Sequence, residues 1–293
     1  MNESDFIHAL RQLVRHPGAQ NLDDDCALLE IGTETLVLTH DAMAEDVHFM
    51  AMQDQADVAW KLITCNMSDL AAKGAEPMGV LLGYMLGPDD ARFLAGLEQA
   101  LTAFDVPLLG GDTIAGKDGQ VLGLTAIGRA TCRPVPTRSG ARPGDILYIT
   151  GPVGAAMMGY EALRDGTPAD SSAYRRPTPL LAEGQLLAPH AHAMMDISDG
   201  LLLDSWRMAK ASNVTIAIDA ASVPVNAPEH RRADALRWGD DYQLLFALAP
   251  DCQPPVPAHA IGQVLEQGAG LLLIDGIAAE GPETLGYQHQ PSS

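Results

Sequence analysis

The stretch 58–77, VAWKLITCNMSDLAAKGAEP, constrains this chain more than any other. Trp60, Ile63, Met67, Leu70, Ala71 and Gly74 recur at the 3.6-residue spacing of a buried helix face. Lys61, Cys65, Ser68, Asp69 and Ala72 fall on another face. Lys61 and Asp69 stand eight residues apart, a little over two turns, so they project in similar directions. Gly74 and Pro77 supply a stop. The helix offers an ammonium and a carboxylate from one rigid element, or else it carries a solvated polar face.

A chain of 293 residues exceeds the usual single domain, so two domains are expected. The 18 basic residues face 38 acidic ones, a net charge of −20. A nucleic-acid groove needs clustered Lys and Arg, and none occurs here. Anions remain accessible if metal ions bridge them. No apolar run reaches the roughly 20 residues of a membrane-spanning helix. The opening MNESDFIHAL lacks a basic segment followed by an apolar one, so no signal peptide is expected. Cys26, Cys65, Cys132 and Cys252 show no C-x-x-C spacing, and reduced thiols in the cytoplasm are expected.

Aspartates recur where strands or turns end. Residues 17–25, PGAQNLDDD, close on three successive aspartates, whose mutual repulsion calls for solvent or a cation. Residues 35–39, TLVLT, read as a buried strand running into His40 and Asp41, the place where open sheets put their ligands. His48 follows between apolar Val47 and Phe49, as a packed histidine or a functional one. Further strands are expected at 78–86, 106–109 and 121–128, with a helix over 89–104. Gly110-Gly111-Asp112-Thr113 reads as a turn that lets backbone approach a phosphate while Asp112 holds its metal, or as ordinary turn chemistry.

Residues 132–144, CRPVPTRSGARPG, read as the domain boundary, with Arg138 suited to phosphate. The expected domains are 1–137 and 138–293. Gly151-Pro152-Val153-Gly154 follows strand 145–150 and reads as a structural turn rather than a phosphate loop. In HAMMDISDGLLLD a strand ends at Asp196, Ser198 is placed to cap a helix and Asp199 lies in its first turn; Asp204 is a ligand or a surface charge. Trp238-Gly239-Asp240-Asp241-Tyr242 forms an acidic turn before an apolar strand. So many carboxylates without soft ligands call for magnesium rather than zinc, and with Lys61 and Arg138 they suggest phosphoryl transfer.

LDDDCA, LTHDAMAEDVHF, KLITCNMSDLAAKGAEP, GGDT, TRSGARPGD, MDISDGL and GDDYQLLF occur in the order seen in thiamine-monophosphate kinases, spanning residues 22 to 246 with a matching Gly286-Tyr287. The sequence resembles that family, within the aminoimidazole-ribonucleotide-synthetase-like superfamily. The resemblance implies a two-domain α/β fold with mixed sheets flanked by helices, and a homodimer joined through N-terminal-domain strands. It implies direct transfer of the γ-phosphate of ATP to thiamine monophosphate, giving thiamine diphosphate as the last biosynthetic step. Metal ligands would be Asp25, Thr39, His40, Asp41, Asp69, Asp112, Asp196 and Asp199, with Asp69, Asp112 and Asp199 catalytic. Gly111, Asp112, Arg138 and Ser198 would contact ATP, and His48, Asp240 and Tyr287 would contact thiamine monophosphate. Several magnesium ions are implied, with potassium as a candidate monovalent partner. The sequence differs from the family pattern at Asp23 (usually Gly), His40 (usually a hydroxyl residue), Leu94 (an aromatic) and Asp240 (Glu). Selenophosphate synthetases, in the same superfamily, carry a reactive Cys or selenocysteine in a glycine-rich N-terminal segment, and this sequence has none. A non-enzymatic cation-binding protein would explain the aspartates but not Lys61, Arg138 or the glycines.

Overall fold

The computed structural model describes residues 3–268 and 270–289. The first half runs α1 (Glu3–Arg11), β1 (Ala27–Ile31), β2 (Glu34–Ala44), α2 (Gln55–Ala72), β3 (Ala75–Met85), α3 (Asp90–Ala103), β4 (Leu108–Ile114) and β5 (Val121–Ala130). Its sheet has the order β1-β2-β5-β3-β4. All pairs are antiparallel except β3 with β4. The second half runs β6 (Ile146–Ile149), α4 (Ala155–Arg164), α5 (Ser172–Arg175), α6 (Leu181–Leu187), β7 (Ala193–Asp196), α7 (Leu201–Ser212), β8 (Thr215–Ile218), α8 (Arg232–Ala235), β9 (Leu244–Leu248), β10 (His259–Leu265), β11 (Leu272–Ile274) and β12 (Ile277–Ala278). Its sheet has the order β12-β11-β8-β10-β6-β9-β7. The fold is two mixed α/β domains.

Period-two alternation orients the first sheet. Val37, Thr39 and Met43 of β2 are buried against α2, as are Leu122, Leu124 and Ala126 of β5. The second sheet is covered on both faces, which is why β9 reads as the unbroken apolar run LLFAL. Leu245 and Ala247 pack with Leu201, Leu202 and Met208 of α7. Leu244, Phe246 and Leu248 pack with Ala71 and Ala72 of α2 and Leu187 of α6.

Helix α2 lies between these layers, and of its 18 residues only Trp60 escapes full burial. The polar face that could have been solvated is instead turned toward the second half. Leu62, Ile63, Met67 and Leu70 show 0% exposure, and burying each contributes about 1.5–3 kcal/mol. The helix starts under an Asp54 side-chain cap to Ala56 N–H and stops before Gly74, which takes a left-handed φ of 58°.

Two sequence expectations change here. Gly110–Thr113 is not a turn: it lies inside β4, paired with β3 at Leu81 to Tyr84. A Cβ on Gly111 would stand 1.9 Å from the Leu82 carbonyl oxygen, so the glycine serves strand contact. Ser198 does not cap a helix, because α7 begins at Leu201 with Gly200 at its N-cap in a φ of 113°. Gly200 is pressed against the Arg237 carbonyl, 2.4 Å from where a Cβ would lie, so the chain turns there rather than at Ser198.

The close contact of α2 with α6 depends on Gly184, whose added Cβ would stand 2.0 Å from the Ala71 carbonyl oxygen. Gly184→Val should cost about 2–3 kcal/mol and lower the melting temperature by roughly 4–10 °C. Thermal denaturation of the purified variant checks this, and an unchanged midpoint would show that the two helices are free to separate.

Candidate active site

A cavity of about 730 Å³ opens between the two halves. At one end, carboxylate oxygens of Asp25, Asp69 and Asp196 all lie within 4.8 Å of one another. Asp69 comes from α2, Asp196 from the end of β7, and Asp25 from the turn before β1. Asp41 and Asp199 line the same cavity. Thr39, on the α2-facing side of β2, donates its hydroxyl to Asp69, and Ser68 Oγ donates to Asp196 at 2.6 Å. Asn66 Oδ1 accepts the Asp41 N–H at 3.2 Å.

Crowding shows in the proton affinities. Burial, then Asp196, Asp25 and Asp199, push Asp41 up to about 7. Burial, then Asp25, push Asp196 up to about 6. Burial, then Asp41 and Asp196, drive Asp69 well above the carboxylate range. Asp25 goes the other way: desolvation would raise it, but Arg138 and Lys73 outweigh that and hold it low. The set is all oxygen and short of positive charge, which suits a hard divalent cation such as magnesium. Cys26 stands close by, its Sγ donating to the Asp69 carbonyl at 3.8 Å, and burial raises its thiol well above the usual range.

Three cations support this end, two of them not read from the sequence. Arg138 pairs with Asp25, while its backbone N–H donates to Asp24 Oδ2 at 2.9 Å. Lys73, 1% exposed, reaches the other oxygen of Asp24 at 2.5 Å. Asp24 therefore anchors the loop rather than joining the cluster. Arg207 pairs with Asp199 and with Asp204. Asp204 is not a surface charge: fully buried, it also accepts the Asp199 N–H at 3.1 Å. Only tertiary packing puts these groups beneath the cluster, so no local pattern could have revealed them.

The other end of the cavity is aromatic. Tyr160, Tyr174, Trp238, Tyr287, His48 and His289 line it around Asp240. His48 Nδ1 accepts the Ala44 N–H at 3.1 Å, so in the neutral ring the proton sits on Nε2. Burial, then His289, lower its proton affinity. Asp240 Oδ2 takes Lys61 Nζ at 2.8 Å, and its Oδ1 accepts the Tyr242 hydroxyl at 2.9 Å. Asp241 points away: it accepts Gly154 N–H at 2.7 Å and Ala156 N–H at 3.2 Å, capping α4. The Gly151–Gly154 turn is thus occupied by a carboxylate of this chain, in keeping with a structural role.

Three expected site residues are not brought to the cluster within one chain. His40 alternates with Thr39 and Asp41, so its imidazole lies on the opposite face of the sheet, where Nδ1 meets Thr125 Oγ1 at 2.9 Å. From there its side chain does not meet the carboxylates of Asp25, Asp69 and Asp196. Gly111 and Asp112 sit on the exposed edge strand β4. Asp112 shares a cross-sheet row with Gly83, Gly123 and Ala42, three strand spacings or about 14 Å from β2. In a single chain it therefore stands outside the carboxylate group.

Carboxyls with raised affinity bind protons in the folded state that the unfolded chain, with ordinary values near 3.8, does not. Stability without metal should therefore fall as pH rises through about 6 to 7. Magnesium, which competes with those protons, should raise the melting temperature more at pH 8 than at pH 6. Asp69→Asn should raise the metal-free melting temperature at pH 8 by about 2 °C or more and abolish the magnesium shift. Thermal scans with chelator and with magnesium at both pH values check this, and a magnesium shift retained in Asp69→Asn would remove Asp69 from the ligands.

Residues 23–130 match the N-terminal domain, and residues 142–272 the C-terminal domain, of AIR synthase related protein. The chain is 35% identical to the thiamine-monophosphate kinase of Escherichia coli K12, over 92% of this chain and 91% of that one. The solved structure of AaThiL complexed with AMPPCP and TMP superimposes with a TM-score of 0.88 at 27% identity, covering 99% of this chain and 97% of that one. The crystal structure of thiamine-monophosphate kinase from Stenotrophomonas maltophilia K279a gives 0.77 at 32% identity, covering 94% and 96%. With both AIR synthase related domains in order and this identity across nearly its full length, the chain belongs to the thiamine-monophosphate kinase family.

Proposed function

We propose that this protein transfers the γ-phosphoryl group of ATP to the phosphate of thiamine monophosphate, releasing ADP and thiamine diphosphate. The observation that carries the reading is one cavity with a carboxylate cluster at one end and an aromatic pocket at the other. Asp69 and Lys61 mark the two ends and stand eight residues apart on α2, about 12 Å along its axis. That span suits a phosphate chain held at the cluster and a flat heterocycle held among the rings.

Asp25, Asp69 and Asp196, with Asp41, Asp199 and Thr39 beside them, would hold magnesium. When bound, it neutralises phosphate charge and polarises the group being transferred. Arg138 and Ser198 border the cluster and are placed for the nucleotide phosphates, Arg138 by exchanging Asp25 for phosphate oxygen. Gly111 and Asp112 belong to this reading only if β4 is brought to a site by assembly. His48 would present its Nε2 proton to the acceptor molecule, and Asp240 and Tyr287 would flank its rings.

In the reaction an oxygen of the acceptor phosphate attacks the γ-phosphorus, and the bond to the β,γ-bridging oxygen breaks. That attacking oxygen is already anionic near neutral pH, so no general base is needed. Cys65, the one thiol lining the cavity among the described residues, has its proton affinity raised by burial and Asp41 and lies 2.8 Å from the Tyr242 hydroxyl, which disfavours a thiolate nucleophile there.

The outer face of the first sheet fits a second copy of the chain. Leu81, Leu109, Ile114 and Val121 are exposed there or on its β4 edge. A monomer rarely leaves so much apolar sheet surface open. Leu81→Lys should convert a dimer to monomer in sedimentation, and a wild-type monomer at micromolar concentration would refute the assembly.

The function is tested by ADP release from ATP and magnesium with and without thiamine monophosphate, with the product identified by mass. Turnover should require the acceptor, and Asp69→Asn should lose at least about a thousandfold in kcat. Acceptor-independent hydrolysis, or metal binding without turnover, would favour a different enzyme or a cation-binding protein.

A further inference from the structure

We propose that Lys61 is a positioning residue of the heterocycle pocket, holding Asp240 by an ion pair across the two domains and not acting on the transferred phosphoryl group. The inference rests on the reading of the site given above. The residue type and its eight-residue spacing from Asp69 suggest a phosphate-binding cation. The geometry points elsewhere.

Lys61 is 1% exposed. Its Nζ donates to Asp240 Oδ2 at 2.8 Å and to the His48 carbonyl at 3.0 Å, and it lies 4.0 Å from the centroid of the Tyr174 ring. These contacts draw on three segments: the turn before β9, the loop after β2, and α5. Tyr174 itself donates its hydroxyl to the same His48 carbonyl at 3.2 Å. The ammonium is therefore spent on the walls of the pocket, about 12 Å along α2 from Asp69.

What the pair fixes is Asp240. The side chain stands where the family pattern has the longer Glu, on a backbone with a left-handed φ of 63°. One oxygen is held by Lys61 and the other by the Tyr242 hydroxyl. Each oxygen retains a free lone pair, so the carboxylate can still accept from a ligand, but only in the orientation that Lys61 and Tyr242 impose. Lys61 also neutralises Asp240. A cationic ring entering the pocket would meet aromatic faces and an oriented acceptor rather than an unpaired anion.

The experiment is steady-state kinetics of Lys61→Met, after confirming that wild-type turnover depends on thiamine monophosphate. The KM for thiamine monophosphate should rise about 10- to 100-fold. The KM for ATP should change less than about twofold, and kcat at saturation less than about threefold, because the lost interaction is one of binding geometry. Combining Lys61→Met with Asp240→Asn should be no worse than the poorer single variant, since both remove the same interaction. Tyr242→Phe, which leaves Lys61 in place and frees the other oxygen of Asp240, should raise the same KM several-fold, and it serves if Lys61→Met does not fold. A kcat loss of about a hundredfold or more with unchanged KM would place Lys61 on the phosphoryl group and overturn the proposal. Equal rises in both KM values that track a fall in melting temperature would reduce it to a fold contact and also overturn it. A wild-type protein inactive toward thiamine monophosphate would overturn the function itself and this inference with it.

Discussion

A helix buried around nearly its whole circumference has no solvent to satisfy its polar side chains, and α2 is such a helix. Several of its polar groups find their partners in the second half of the chain. Ser68 takes Asp196, Thr64 and Trp60 take the Pro177 carbonyl, Lys61 takes Asp240, and Asp57 takes Arg175 and Arg176. A buried charge that loses its partner costs several kcal/mol. These pairs therefore specify how the domains meet, and two of them, at Asp196 and Asp240, fall in the cavity itself. Domain docking and site geometry are the same set of contacts.

The cavity is costly to the fold. Three carboxylates are held within one ion's reach in a chain already carrying a net charge of −20. Lys73, Arg138 and Arg207 soften the repulsion from behind, but two of the three carboxyls, and Asp41 beside them, still hold their protons more tightly than in water. Local instability of this kind is expected where like charges are gathered at a site. It also explains why neutralising substitutions there should help the metal-free fold while removing its chemistry.

The carboxylate cluster was legible because each member sits at the edge of a recognisable element, Asp196 after an apolar strand and Asp69 on the strongest helix of the chain. The Gly-Asp-Asp-Tyr turn was legible for the same reason, although its second aspartate caps α4 and only its first faces the cavity. The strand expected over 35–39 continues to Ala44, and a strand that continues sends its next side chain, that of His40, to the other face. Gly110–Thr113 reads as a turn and is strand, because two glycines mark close backbone approach and the sequence does not say whether the neighbour is a phosphate or another strand. Asp24, Lys73, Asp204 and Arg207 carry no local pattern, since their meaning comes from what is packed over them.

The two ends of the cavity are also joined through backbone. Asp240 N–H donates to the Ser198 carbonyl at 2.9 Å, Tyr242 N–H to the Ile197 carbonyl at 2.9 Å, and Tyr287 N–H to the Asp199 carbonyl at 2.9 Å. Gly239 and Gly286 lie so close to this strip that a Cβ on either would stand 2.2 Å from the Ser198 or Asp199 carbonyl oxygen. Asp240 and Tyr242 both hold left-handed φ values, 63° and 50°, that non-glycine residues adopt at a cost of order 1–3 kcal/mol. Such strain persists only where the surroundings over-determine it, and here they do, through the hydrogen bonds to residues 197–199 and through Lys61. The segment that carries Asp196 and Asp199 to the carboxylate cluster is therefore the one against which the aromatic end of the cavity is built. A shift of either would be felt by the other through hydrogen bonds that do not stretch far without breaking. The distance between the two ends is set by one continuous piece of backbone and one rigid helix, the kind of support that holds groups in a fixed mutual position.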